Sequence, residues 1–256
     1  MCTATWIRSS DSYEVFFNRD ELHSRSEAAP PQTESLGGMR YLAPSDPDGG
    51  GTWIGVNEAG ITAALLNYYP DSDRDSQLPG PDFARAKISR GRLVRETLGH
   101  RSVDEVTEVL RGKDLTQYLP FSLLCFASDG RALLARWFHD LTLDYSPSMP
   151  VTSSSYRTSF VVENRIAQFH TLGPEHATEV QTSEAQTFEA QRGLHLRYHR
   201  SHSPEKSARS VCMHREDAQT QSLVHIVVAS GHVTCTYVPG SPCATEPIDP
   251  ILLNRV

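Results

Sequence analysis

Hydrophobic and polar positions alternate over residues 3–8 and again over 13–18, and both runs are rich in β-formers. Ser9-Ser10-Asp11-Ser12 between them has turn chemistry, so the chain is expected to open with a β-hairpin. A polar, proline-containing loop follows. Gly49-Gly50-Gly51 then leads into Thr52-Trp53-Ile54-Gly55-Val56-Asn57, and Glu58-Ala59-Gly60 turns this run into Ile61–Asn67, a second hairpin. The Asp- and Pro-rich stretch from Pro70 to Pro81 reads as an exposed loop.

Helical spacing takes over at Phe83, Ala84, Lys87, Ile88, Gly91 and Val94 to Leu98. It returns at Val103, Val106, Val109 and Leu110, after Ser102 as N-cap with Glu105 three residues on. Residues 120–128, 131–138 and 141–145 read as a strand meander. Further helices are expected around Phe160–Ala167 and over Glu184–Tyr198, and strands at 223–229 and 232–238 close the chain. Strands, helices, strands, helices, strands is an order that suits an α+β fold of two antiparallel sheets faced by helix layers, here in one domain over 1–256.

Composition narrows the field. A formal net charge of −7 gives no basic footprint for nucleic acid. No run approaches the ~18 apolar residues of a membrane span, and no charged n-region precedes an apolar segment, so a cytoplasmic protein without a transmembrane segment is expected. The five cysteines form no CxxC pair, which argues against a disulfide framework, and all but Cys2 read as bland, Cys125 and Cys235 as buried small hydrophobes.

Cys2 is different because aminopeptidases generally remove methionine before a small second residue. The freed α-amine has a reference pKa of ~7.7 to 8.0 and can take a proton from the thiol on the same residue, so nucleophile and base come as one unit. If the first hairpin is centred between Ser10 and Asp11, Thr3 pairs with Asn18, Arg19 lies beside Cys2, and Asp20 follows. A guanidinium there favours the thiolate, and Asp20 can accept from the α-ammonium. The alternative is a solvated strand end. Trp53 after the glycines either walls a cleft beside Cys2 or belongs to the core, with Ile54 and Val56 packing between sheet and helix layer.

Cys2, the quartet Asn18-Arg19-Asp20-Glu21, and the block Gly50-Gly51-Thr52-Trp53-Ile54-Gly55-Val56 with its continuation to Asn67 resemble the NRDE family, also called the transport and Golgi organisation protein 2 family. Ser89-Arg90-Gly91, Thr152-Ser153-Ser154-Ser155 and the run from Asp217 to Thr234 extend the likeness over nearly the whole chain. That family is similar in turn to choloylglycine hydrolases and penicillin V acylases. The resemblance implies an αββα sandwich of the N-terminal-nucleophile hydrolase type and amide chemistry. It implies Cys2 as nucleophile, Asn18 and Asp20 as the Asn-x-Asp element, and Asn67 as an oxyanion-hole donor. Phe17 stands where those hydrolases carry an arginine, which here is displaced to Arg19. Ser153-Ser154-Ser155 occupy the region of their second oxyanion-hole asparagine, and Leu223 follows Ser222 where a late arginine is expected.

The expected machinery is therefore Cys2, Asn18, Arg19, Asp20 and Asn67, with Trp53, Ser154, Ser155 and Arg215 lining the substrate site and no cofactor. The reaction expected is hydrolysis or acyl transfer on a small amide or thioester. The rival reading is a non-enzymatic carrier of an acyl lipid or haem-like ligand, since members of the resembling family have been linked to both. His195, His199 and His202 would share a helical face, and His214 follows in Cys212-Met213-His214-Arg215, but Ser201, Ser203 and Pro204 end the helix near His199 and no carboxylate pattern or cysteine completes a tetrahedral set. They read as solvated histidines on a basic patch with Arg192, Arg197 and Arg200, and no metal is expected.

Overall fold

The computed structural model describes residues 1–9, 12–70, 86–173 and 184–256. The strands of one six-stranded sheet lie in the order β10-β1-β2-β11-β12-β13, comprising β1 (Cys2–Arg8), β2 (Tyr13–Leu22), β10 (Val151–Ser153), β11 (Ala218–Val228), β12 (His232–Pro239) and β13 (Ile251–Asn254). The second sheet is a continuous meander of β3 (Ala29–Leu36), β4 (Met39–Ser45), β5 (Ile54–Asn57), β6 (Ile61–Asn67), β7 (Phe121–Ala127), β8 (Ala132–Phe138) and β9 (Asp140–Asp144). All pairings are antiparallel.

Period-two alternation gives each sheet two faces. The inner faces meet in a core that includes Ala4, Trp6, Val15 and Phe17 from one sheet and Ile54, Val56, Leu66 and Leu124 from the other. The outer face of the second sheet carries α1 (Arg90–Thr97) and α2 (Val103–Gly112) through Tyr41, Ala63, Leu93, Val94 and Val106. The outer face of the first carries α3 (Thr158–Leu172) and α4 (Glu184–His199), with Ile7, Phe16 and Leu223 packed against Phe188 and Leu196 of α4. The layering is α-β-β-α.

Most expected elements stand. The β1–β2 register is the expected one, Cys2 opposite Arg19 and Thr3 opposite Asn18. Ser102 caps α2 by accepting from the Glu105 amide at 3.2 Å. The expected loop before Gly49 instead contains β3 and β4, and β3 is polar and begins Ala29-Pro30-Pro31. An edge strand tolerates prolines that lack an amide donor, and the β3–β4 register shifts between Ala29 and Gln32 to accommodate them. Ile54 and Val56 pack between the two sheets, not against a helix layer; Gly55 and Asn57 face the helices, where Asn57 Nδ2 donates to the Leu98 carbonyl at 2.9 Å. The Ser10-Asp11 turn, the loop over 71–81 and the helical positions Phe83 and Ala84 lie outside the described residues.

Candidate active site

β1 lies between β10 and β2, so the start of the chain is held from both sides. Met1 extends β1 by one residue: its ammonium donates to the Asp20 carbonyl at 3.0 Å, and the Asp20 amide donates to the Met1 carbonyl at 2.8 Å. In an antiparallel ladder a bonded pair alternates with an unbonded one, whose side chains approach more closely. Cys2 and Arg19 form such an unbonded pair, and the Cys2 amide faces β10, donating to Ser153 Oγ at 3.2 Å.

Cys2 is 7% exposed and lines a cavity of about 360 Å³. Arg19, Trp53, Asn67 and Arg90 line the same cavity. Burial raises the Cys2 thiol pKa; the chain-terminal ammonium and Arg19 pull it down, and Asp20 and Glu21 push it up. Arg19 is itself fixed, its guanidinium 4.6 Å from the centre of the Trp53 ring, 3.4 Å from Glu21 Oε2 and 3.6 Å from Asp46 Oδ2. Asn67 ends β6, and its Nδ2 donates to Tyr69 Oη at 3.1 Å.

Glycines set how near α1 comes. A Cβ on Gly51 would lie 2.4 Å from the carbonyl carbon of Gly91, and the Thr52 amide donates to the Gly91 carbonyl at 3.2 Å. The first turn of α1 thereby abuts the strand entry beside the cavity. Arg90 in that turn donates to the Pro120 carbonyl at 2.9 Å and, among the described residues, makes no ion pair; burial lowers its pKa. The sequence marks Arg90 only as part of a motif, yet it is a cavity residue.

Other expected residues are distributed differently. Alternation along β2 turns Asn18 and Asp20 toward the helix layer. Asn18 Nδ2 donates to the carbonyls of His199 and Val211 at 2.8 and 3.1 Å. The Asp20 carboxylate faces Arg165 Nη2 at 3.1 Å and Thr220 Oγ1 at 2.7 Å, with the Asp20 and Arg165 side chains fully buried. With Met1 in place, its ammonium meets the backbone carbonyl of Asp20 and not the carboxylate.

Trp53 is both cavity wall and core, 6% exposed and packed in the inter-sheet cluster with Cys2. Regular strand begins only at Ile54, so Trp53 escapes the alternation that would send it to the helix side. Ser154 is buried and occupied in a turn, donating to the Tyr156 carbonyl at 2.6 Å and accepting from its amide at 3.1 Å. Ser155 and Arg215 line an adjoining cleft that also touches Met1, Asp20 and Asn67, where Arg215 pairs with Asp217 at 2.9 Å and lies over the Tyr156 ring.

His195 and His199 are not solvated. They lie on the inner face of α4, 2% and 0% exposed; Thr5 Oγ1 sits 2.7 Å from His195 Nδ1 and 2.9 Å from His199 Nε2. Burial pushes His195 down to about 4 and His199 well below the usual histidine range. Arg192, expected on an open patch, is engaged with buried Glu14.

Residues 1–237 match the family Transport and Golgi organisation 2. The chain belongs to that family. A comparison with curated proteins gives no match. Among solved structures, the Caenorhabditis elegans ortholog of N-acylethanolamine-hydrolyzing acid amidase is similar over 88% of this chain and 92% of its own, with a TM-score of 0.53 and 11% identity. A C2A mutant of conjugated bile acid hydrolase from Clostridium perfringens covers 100% of this chain and 97% of its own at 14% identity, with a TM-score of 0.48. This member of the family has two antiparallel sheets flanked by helices, the fold of N-terminal-nucleophile hydrolases.

Among the described residues, no helix is long and apolar enough to cross a membrane. The residue that sequence reasoning missed is Arg165. It sits in register with Val161 and Phe169 on the buried stripe of α3, and a cation on an apolar stripe at i, i+4, i+8 spacing was the available signal.

Proposed function

We propose that the chain is a cysteine N-terminal-nucleophile hydrolase or acyltransferase that acts on a small amide or thioester once Met1 is removed. The observation that carries this reading is the position of Cys2, at the floor of a cavity shared with Arg19, Asn67 and Arg90, with a strand on either side. Removal of Met1 moves the terminal amine from one residue away onto Cys2 itself. The amine, neutral in part near pH 7, takes the thiol proton as Sγ attacks the carbonyl carbon.

The developing oxyanion needs donors in place before the reaction, each typically worth ~10² to 10³ in rate. Asn67 Nδ2 is the side-chain candidate. Collapse of the tetrahedral adduct breaks the C–N or C–S bond, and the ammonium returns its proton to the leaving group. Water or another acceptor then releases the acyl group from Cys2. The solved amidase relative supports amide bonds as the substrate class. Charged side chains on the wall, Arg19, Glu21, Arg25, Asp46, Lys87 and Arg90, favour a polar substrate over a haem-like or acyl-lipid cargo.

The test is intact-mass labelling with an acyl-directed electrophile across pH. Processed protein should acylate at Cys2, whereas Cys2→Ala and protein retaining Met1 should label at least ten-fold more slowly. Equal labelling of the Met1-retaining form would remove the self-base mechanism.

A further inference from the structure

Away from the cavity, three loop segments bring four ligand-type side chains to one point. His202 follows the end of α4, Cys212 and His214 precede β11, and Cys243 lies in the turn after β12. Their ligand atoms all lie within 4.8 Å of one another. His214 Nε2 is the hub, 3.1 Å from His202 Nε2, 3.6 Å from Cys212 Sγ and 3.5 Å from Cys243 Sγ. Cys212 is buried and the other three are half-buried.

Hydrogen bonding alone does not account for this convergence. An imidazole nitrogen carries either one hydrogen or one lone pair, so it can serve one partner, and here three approach it. A central ion resolves the conflict because each ligand then points at the ion. With metal–nitrogen bonds of ~2.0–2.1 Å and metal–sulfur bonds of ~2.3 Å, a tetrahedral Cys2His2 zinc site has edges of about 3.3 Å between nitrogens and about 3.5 Å between nitrogen and sulfur. The observed contacts at His214 are close to those edges.

We propose that His202, Cys212, His214 and Cys243 form a structural zinc site. Two soft sulfurs and two imidazoles select Zn²⁺ over Mg²⁺ or Ca²⁺, and four protein ligands leave no open position for substrate. Binding is redox-neutral: Zn²⁺ displaces one proton from each cysteine thiol to solvent, and two thiolates with two neutral imidazoles cancel its charge. The sequence sets His202, Cys212 and His214 near one another, but the fourth ligand, Cys243, is brought to them only by the fold.

The ion would tie the segment between α4 and β11 to the end of β12. That segment supplies the Val211 carbonyl to Asn18, the Ala208 carbonyl to Arg165, and the Met213 amide to Thr220 Oγ1. These are backbone supports of the polar layer behind β2, so the zinc site braces the wall on which Cys2 is mounted without entering the cavity.

The experiment measures metal content of the purified chain after dialysis, then replaces the metal with Co²⁺ under reducing conditions. The expected result is a single zinc ion per chain and a cobalt spectrum with tetrahedral ligand-field bands and a thiolate charge-transfer band. His202→Ala and Cys243→Ser should lose both signals, while Cys2→Ala and Cys235→Ala keep them, which separates this site from the proposed nucleophile. Because the wild-type spectrum is read directly, a variant that fails to fold does not blunt the test. Absence of the charge-transfer band in reduced wild type, metal content untouched by His202→Ala and Cys243→Ser, or a Cys212–Cys243 disulfide whose reduced form binds no Co²⁺ would each overturn the proposal.

Discussion

Arg165→Met probes the buried layer behind the candidate nucleophile. The Arg165 guanidinium reaches Thr3 Oγ1 at 2.9 Å on β1, Thr152 Oγ1 at 3.3 Å on β10, the Asp20 carboxylate at 3.1 Å on β2 and the Ala208 carbonyl at 3.4 Å. Methionine keeps most of the aliphatic stem and removes the charge, leaving the Asp20 carboxylate buried with Thr220 Oγ1 as its remaining side-chain donor. Breaking a buried pair in this way typically costs ~3 to 5 kcal/mol, since the remaining charge stays desolvated without its partner. For a chain of this size, ~3 kcal/mol lowers Tm by roughly 6 to 12 °C. Asp20→Asn alone should cost less, because the amide oxygen still accepts from Arg165. The double variant should then recover part of the Arg165→Met loss, a coupling of ~1 to 3 kcal/mol. Urea denaturation of wild type, both single variants and the double variant closes the cycle. Strict additivity, or a loss below ~1 kcal/mol for Arg165→Met, would refute the reasoning. An Asp20 that held the α-ammonium would make Asp20→Asn act on thiol reactivity; the burial of its pair with Arg165 shifts the expected effect to stability.

His195, held at about 4 by burial against an unfolded value near ~6.5, makes the unfolded chain bind more protons between those pH values. Its contribution is fully present above pH ~6.5 and is lost as pH falls toward ~4, by about 3 kcal/mol in all, with His199 acting in the same direction. Urea midpoints should fall between pH 7 and pH 5 and fall less in His195→Asn; an unchanged slope in the variant would exclude His195 as the source. Gly51→Ala sets a methyl group against the Gly91 backbone and should cost ~1 to 3 kcal/mol while displacing the turn that carries Arg90. A thermal melt matching wild type would show that α1 does not abut the strand entry as described.

How much the sequence shows depends on whether a property is local. The β1–β2 register is read correctly because the turn and the alternation are both local, and it places Arg19 beside Cys2. Ser102 and Glu105 mark the start of α2 for the same reason. β3 is missed because an edge strand needs neither apolar alternation nor a full set of amide donors, so Pro30 and Pro31 mislead. The buried partner of Asp20 is invisible to a local reading because Arg165, which claims its carboxylate, lies 145 residues away in α3. His195 and His199 look like a polar face only while the polar groups opposite them, Thr5 and Asn18, remain unidentified as their partners.

The two sheets also differ in how much of the chain must exist before they can form. The strands of the meander all come from residues 29 to 144, with α1 and α2 between β6 and β7, so a ribosome can complete it while the remaining 112 of the 256 residues are unmade. The other sheet joins β2 to β11, two segments from opposite ends of the chain, and non-local pairings of this kind form late. Until residue 228 has emerged, β2 lacks its neighbour β11, and the β1–β2 hairpin that carries Met1 is without that support. Afterwards Met1 is half-buried and its backbone is tied to Asp20 in both directions. The proposed removal of the first residue is therefore best placed during synthesis, since a chain released untrimmed would have to open the Met1–Asp20 pairing to be processed later.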